Sequence, residues 1–222
     1  MENKSQTLDQ TFNKTDFGHF VATNKSLVIG LLVFFLVGAL GYSFYRSNAE
    51  EAHEKSMNEI FTFSQTKLKD FQTKKISKDD VLAAYKGLDA KVMKSQGMFT
   101  LSTELAMALR DQGEAAAAVS ILAPVLDNFS SSNYAYYFIS ANLAVLYEEN
   151  NELDKAISSL ENLTKAKVKV MEAKTYFDLG RLYKTKNDLS NARLNFNYVV
   201  SNFAQDDFAK LSKIYLMEME AK

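Results

Sequence analysis

Residues 142–160 read NLAVLYEENNELDKAISSL, and residues 178–196 read DLGRLYKTKNDLSNARLNF. Thirty-six residues apart, the two stretches place the same kinds of residue in the same roles. Leu143, Ala144 and Tyr147 precede a turn at Asn150 and Asn151, after which Leu153, Ala156, Leu160 and Leu163 mark an apolar face. In the second stretch these roles fall to Leu179, Gly180 and Tyr183, then to Asn187, Leu189, Ala192, Phe196 and Val199. A weaker copy lies 38 residues upstream in Leu105, Ala106, Leu109, Gly113, Ala118, Leu122 and Val125. Apolar residues at three- and four-residue intervals predict helices, and self-similarity at such a period predicts stacked helix pairs, each burying its face against the next.

The residue sizes fit that geometry. Ala106, Ala144 and Gly180 on the first helix of each pair, and Ala118, Ala156 and Ala192 on the second, let paired helices approach closely. The rest of the composition agrees: one proline, eight glycines and no tryptophan in 222 residues favour helices over short strands joined by tight turns.

Flanking segments extend the pattern. From residue 49 to 71, Met57, Ile60, Phe61, Leu68 and Phe71 form a helical stripe, which predicts one long amphipathic helix that doubles as a spacer. Ser77 with Asp80 three residues later reads as an N-cap, followed by a buried stripe of Val81, Tyr85, Leu88 and Val92 and a stop at Gly97. After the repeats, Phe208, Leu211, Ile214, Tyr215 and Met219 predict a helix that caps the open end of the stack.

Toward the N-terminus, residues 26–45 carry no charge: fifteen are apolar, three are glycine and two are serine. As a helix they span roughly 30 Å, one hydrocarbon core. A helix satisfies its own backbone in lipid, so residues 26–46 are expected to form a transmembrane anchor closed by Tyr42, Phe44 and Tyr45 at the interface. The run exceeds the h-region of a signal peptide. Lys4, Lys14 and Lys25 precede it, whereas Arg46 and Lys55 follow among Glu50, Glu51 and Glu54, a small bias that places the N-terminus inside. Phe17, Phe20 and Val21 share a helical spacing that suits the headgroup layer.

Several function classes are excluded. With 26 basic and 27 acidic residues mixed along the chain, no broad cationic surface exists for nucleic acid. The lack of cysteine removes thiolate nucleophiles and thiolate metal sites. His19 and His53 stand in no ligand spacing, and no phosphate-cradling or nucleophile-elbow motif occurs. Glu148 and Glu149 point about 100° apart on a helix, which reads as a solvated helix end rather than an acid/base pair. The expectation is a chain without catalytic residues, cofactor or metal.

The repeated pattern resembles the tetratricopeptide repeat: large residue, Leu, small residue, Tyr, turn, Ala, aromatic. It departs at the consensus proline, where Val168 and Ala204 stand, and at the tryptophan site, which holds Ser102, Ser140 and Tyr176. The fold expected is all-α: a single N-terminal transmembrane helix, then an α-solenoid of degenerate tetratricopeptide-like helix pairs. The resemblance implies a concave protein-binding groove lined by Met107 and Arg110, by Phe138, Val145 and Glu148, and by Lys174, Phe177, Arg181 and Lys184. Lys174, Arg181 and Lys184 would receive acidic groups, and Met107, Phe138 and Phe177 apolar segments. The carboxylate clamp of chaperone-binding repeats is disfavoured, because Val145 replaces the partner that Asn142 would need. Tyr134, Tyr136, Tyr137 and Phe138 form the densest aromatic patch, suited to inter-repeat packing or to an interface.

The whole layout is similar to that of the YfgM-type ancillary subunits of the SecYEG translocon, on Asn24 and Lys25 before the span, the aromatic and basic exit from Tyr42 to Arg46, and the repeats. That resemblance implies a bacterial inner-membrane protein with a cytoplasmic tail at 1–25, an anchor at 26–46, an amphipathic linker or helix pair at 47–97, and periplasmic repeats with a C-terminal capping helix at 98–222. It implies partners among translocon subunits, a membrane-anchored periplasmic chaperone and secretory polypeptides. A scaffold for another envelope or cell-division assembly, and a span that drives self-association, remain open alternatives.

Overall fold

The computed structural model describes residues 20, 21, 23–93, 95 and 97–221, and every regular element among them is helical. Phe17 and His19, with most of the expected N-terminal tail, lie outside the described residues. The chain divides into two units, 1–55 and 56–222.

The first unit holds most of helix α1 (Lys25–Phe63). Its apolar residues from Leu27 to Tyr45 are exposed almost throughout, and the helix is long and apolar enough to cross a membrane. Instead of ending near Arg46, the helix continues with Arg46 and Glu50 paired one turn apart at 2.8 Å.

In the second unit, α1 passes through a π-helical turn (Ser64–Leu68) into α2 (Lys69–Gln72). The π turn explains a departure from the expected stripe. Ile60, Phe63, Leu68 and Phe71 are buried, whereas Met57 and Phe61 are 41% and 64% exposed. The five-residue step from Phe63 to Leu68 would rotate away from the core in a regular α-helix, and the wider π turn brings it back.

The Ser77–Asp80 cap is formed in both directions: the Asp80 N–H donates to Ser77 Oγ at 3.2 Å and the Ser77 N–H to Asp80 Oδ2 at 3.1 Å. The stripe it opens is split into α3 (Lys78–Lys86) and α4 (Ala90–Met93), separated at Gly87. Val81, Tyr85 and Val92 are buried and Leu88 is half-buried. Gly97 does not end this segment. It begins α5 (Gly97–Asp111), and a Cβ there would lie 2.7 Å from Ile60 Cδ1, so the missing side chain lets α5 start against α1.

The remaining helices are α6 (Ala115–Leu126), α7 (Tyr134–Glu149), α8 (Leu153–Lys165), α9 (Glu172–Thr185), α10 (Leu189–Asn202) and α11 (Asp207–Glu220), each packed on its sequence neighbour. Ala118, Ala156 and Ala192 are fully buried, and Ala106, Ala144 and Gly180 are buried as well. At Gly180 the Phe196 ring occupies the space, 2.7 Å from where a Cβ would stand.

A single turn geometry repeats along the stack. Gly113, Asn151 and Asn187 all adopt left-handed backbone, at φ 81°, 61° and 62°. After each, the next N–H reaches back to the last helical turn: Glu114 to the Leu109 carbonyl, Glu152 to Tyr147 and Asp188 to Tyr183, at 2.9, 2.7 and 2.9 Å. Lys74 does the same at φ 59°, with the Lys75 N–H on the Asp70 carbonyl at 2.8 Å. Val81, Tyr85 and Leu88 then take the spacing of Ala118, Leu122 and Val125. The helix pair expected at 47–97 thus shares the turn geometry of the repeats, a likeness its sequence does not announce.

The last helix carries the other departure. Ala209, Ser212 and Met219 are buried with Phe208, Tyr215 and Leu216 packed beside them, while Leu211 and Ile214 are 41% and 48% exposed. The sequence offers two apolar faces on α11, and the chain uses the one that meets Phe177 and Phe196.

Candidate functional site

The repeat arrangement sets the first helices of successive pairs side by side, so the α5/α7 and α7/α9 seams are equivalent in register. They differ in side-chain size. Thr103 and Met107 on α5 correspond to Ala141 and Val145 on α7, 38 residues on. Where Met107 stands, with Thr103, Val145 and Leu146, the seam closes to about 10 Å³, the room of one water. Where the smaller Ala141 and Val145 stand, the α7/α9 seam opens to a cleft of about 130 Å³.

Phe138 and Met171 stand at the rim of this cleft, 50% and 55% exposed, over walls that include Tyr137, Ala144 and Thr175. Met171 precedes α9 with φ 49°, a left-handed conformation unfavourable for a bulky residue.

Four charged side chains join along the cleft. Arg181 donates through both terminal nitrogens to the two carboxylate oxygens of Glu148, with Nη2 to Oε2 at 2.6 Å. Its Nε lies 3.7 Å from Asp178, which receives Lys174 Nζ at 2.5 Å. The Arg181 hydrogen bonds hold the Glu148 carboxyl below the usual carboxylate range, against the opposing effect of burial, and Glu148 raises Arg181 in turn.

The residues expected to line one groove thus separate. Phe138, Val145, Glu148, Lys174 and Arg181 meet at the α7/α9 cleft, and Val145 also faces the closed seam with Met107 and Arg110. Phe177 is not a groove residue: it is buried, with ring centroids 5.9, 5.3 and 5.6 Å from Phe196, Phe208 and Tyr215. The basic positions are matched within the chain. Lys184 binds Glu218 at 2.7 Å and lies over the Tyr215 ring, and Arg110 binds Glu149 at 2.6 Å. Adjacent Glu148 and Glu149 are accordingly no free helix end, because each holds an arginine of a different neighbouring repeat.

Sequence reasoning missed Asp178, Glu218 and Met171. The first was signalled by the Lys174–Asp178 spacing of four residues, the others by nothing local. Of the aromatic patch, Tyr137 is buried while Tyr134 is 65% exposed, so packing and surface divide it. Elsewhere, burial and the Glu161 hydrogen bond at 2.6 Å push the Tyr183 phenol up to about 12. Among the described residues, no three His, Cys, Asp or Glu side chains are grouped to hold a metal.

The profile of the tetratricopeptide repeat-like domain family matches residues 18–221. The chain belongs to this family. Among solved structures, the tetratricopeptide-like chain resembles nearly identical TPR-like repeats from Podosopora anserina at 18% identity and a TM-score of 0.51, over 75% of this chain and 82% of that one. BtubC (BKLC) from P. vanneervenii gives 19% identity and a TM-score of 0.49, over 55% of this chain and 53% of that one, so the chain spans about half the length of BtubC. At these identities the likeness concerns the fold. No curated protein matches. A tetratricopeptide-like stack is an interaction module for protein partners.

Proposed function

We propose that the chain is a membrane-anchored protein-interaction module and serves as an ancillary subunit of the Sec translocon. In this reading α1 crosses the bacterial inner membrane with its N-terminus in the cytoplasm. The repeats work in the periplasm, linking the translocon to a membrane-anchored chaperone and receiving secretory polypeptides. The observation that carries the reading is an open, apolar-rimmed cleft in a repeat domain that shares its chain with one helix apolar enough to span a membrane. The family match supports it by taking in the apolar helix and the repeats together. Rims of exposed Phe and Met suit clients of varied sequence, since methionine adapts its shape to what it meets.

Two measurements test this. A periplasm-dependent reporter fused after Lys222 is expected to be active, and a cytoplasm-dependent one silent. Mild solubilisation of native membranes is expected to recover translocon subunits with the full chain. An active cytoplasmic fusion, or recovery of the chain with only its own copies, contradicts the proposal.

A further inference from the structure

Resting on the reading of this cleft as a client site, we infer that the α7/α9 cleft is a single-anchor pocket: it takes one ring-sized apolar side chain from an uncharged stretch of polypeptide. The cleft measures about 130 Å³, and an apolar cavity of about 150 Å³ holds one benzene ring. The equivalent α5/α7 seam, at about 10 Å³, admits no side chain, so of these two seams the α7/α9 one offers the anchor.

Charge decides the rest of the chemistry. Glu148, Asp178, Lys174 and Arg181 are two anions and two cations, joined in an unbroken series of contacts. Within this series each cation already faces a carboxylate. An incoming carboxylate would share a cation that Glu148 or Asp178 already neutralises and would sit near both carboxylates, and an incoming cation would sit near Arg181 and Lys174. At a series of zero net charge either one meets attraction and repulsion together and gains little. An uncharged segment leaves the series intact while covering Phe138 and Met171. The occupant is thus the apolar, charge-free kind of segment that an unfolded polypeptide exposes, not an acidic tail.

The comparison of the two seams supplies the test. In the full chain, reconstituted in lipid nanodiscs, binding is measured for three peptides with identical uncharged flanks whose central residue is Phe, Ala or Asp. The Phe peptide is expected to bind about tenfold more tightly than the Ala peptide, as for a single buried anchor, and the Asp peptide to bind no better than the Ala peptide. Its affinity is expected to change little between about 0.1 and 1 M salt, where the Debye length contracts from about 10 to about 3 Å. The double variant Ala141→Thr, Val145→Met gives α7 the side chains of the closed seam, and is expected to abolish the Phe preference. Equal affinity for the Phe and Ala peptides, or tightest and salt-sensitive binding of the Asp peptide, overturns the pocket assignment. Both outcomes are read on the wild-type chain, so they stand even if the double variant folds poorly. Neither touches the translocon reading, which is decided by topology and by recovery from native membranes.

Discussion

The Glu148 carboxylate receives both terminal nitrogens of Arg181 across the α7/α9 cleft, while Glu149, the next residue, receives Arg110 from the preceding repeat. One helix end thereby ties three repeats together. It also gives Arg110 and Arg181, two of the basic residues expected in the groove, a carboxylate each within the chain.

The pair makes stability depend on pH. The folded-state pKa of Glu148 is lowered by the Arg181 hydrogen bonds, so its contribution is full above the unfolded value, near 4.5, and is lost as pH falls through the lower folded value. Glu148→Gln is expected to cost about 1–2 kcal/mol at neutral pH, modest because both side chains remain about three-tenths exposed. Denaturant titrations of both proteins from pH 7 downward check this. The difference between them should shrink below about pH 4.

Close packing at Gly180 gives a second expectation. Gly180→Ala places a methyl against the Phe196 ring and should destabilise by about 1–3 kcal/mol, less whatever the better helix propensity of alanine returns. Adding Phe196→Leu should make the Gly180→Ala step cheaper. A double-mutant cycle by chemical denaturation measures the coupling.

Phe177→Ala should cost about 3–5 kcal/mol in stability, because the ring fills the core between α9, α10 and α11. Ala156→Asp, at a fully buried helix seam, should also cost several kcal/mol, on the order of 3–5, by introducing an unpaired carboxylate. Thermal melts of both variants provide the check, and an unchanged melting temperature would remove the residue from the core.

The turn at Lys74 gives a gain instead of a loss. Lys74→Gly is expected to stabilise by about 0.5–1 kcal/mol, since the left-handed backbone that strains lysine suits glycine. A loss on this substitution would argue against the linker being a repeat of the same geometry.

The sequence carried the stack well wherever small residues recur: Ala144, Gly180, Ala156 and Ala192 sit at the seams that their size demands. It failed where periodicity was ambiguous. Phe61 and Leu211 keep a helical register with buried neighbours yet face outward, because a π turn in one case and a second apolar face in the other choose different residues. The cleft was half legible. Phe138, Val145, Glu148, Lys174 and Arg181 were placed together by repeat position, but their internal pairing depends on which carboxylates the fold brings near. That pairing neutralises the basic part of a groove expected to be part apolar and part basic. The size difference between Met107 and Val145 was visible in the sequence, and its meaning emerged only from the open and closed seams.

The most direct test of the central claim, that stacked helix pairs present the α7/α9 cleft to other polypeptides, is site-specific photo-crosslinking in native membranes. A photoreactive residue in place of Phe138, at the open rim, is expected to capture translocon subunits, chaperone and nascent secretory chains, and one in place of Leu194, exposed on α10, to capture far less. Equal capture from both positions, or capture of identical chains alone from Phe138, would contradict the account.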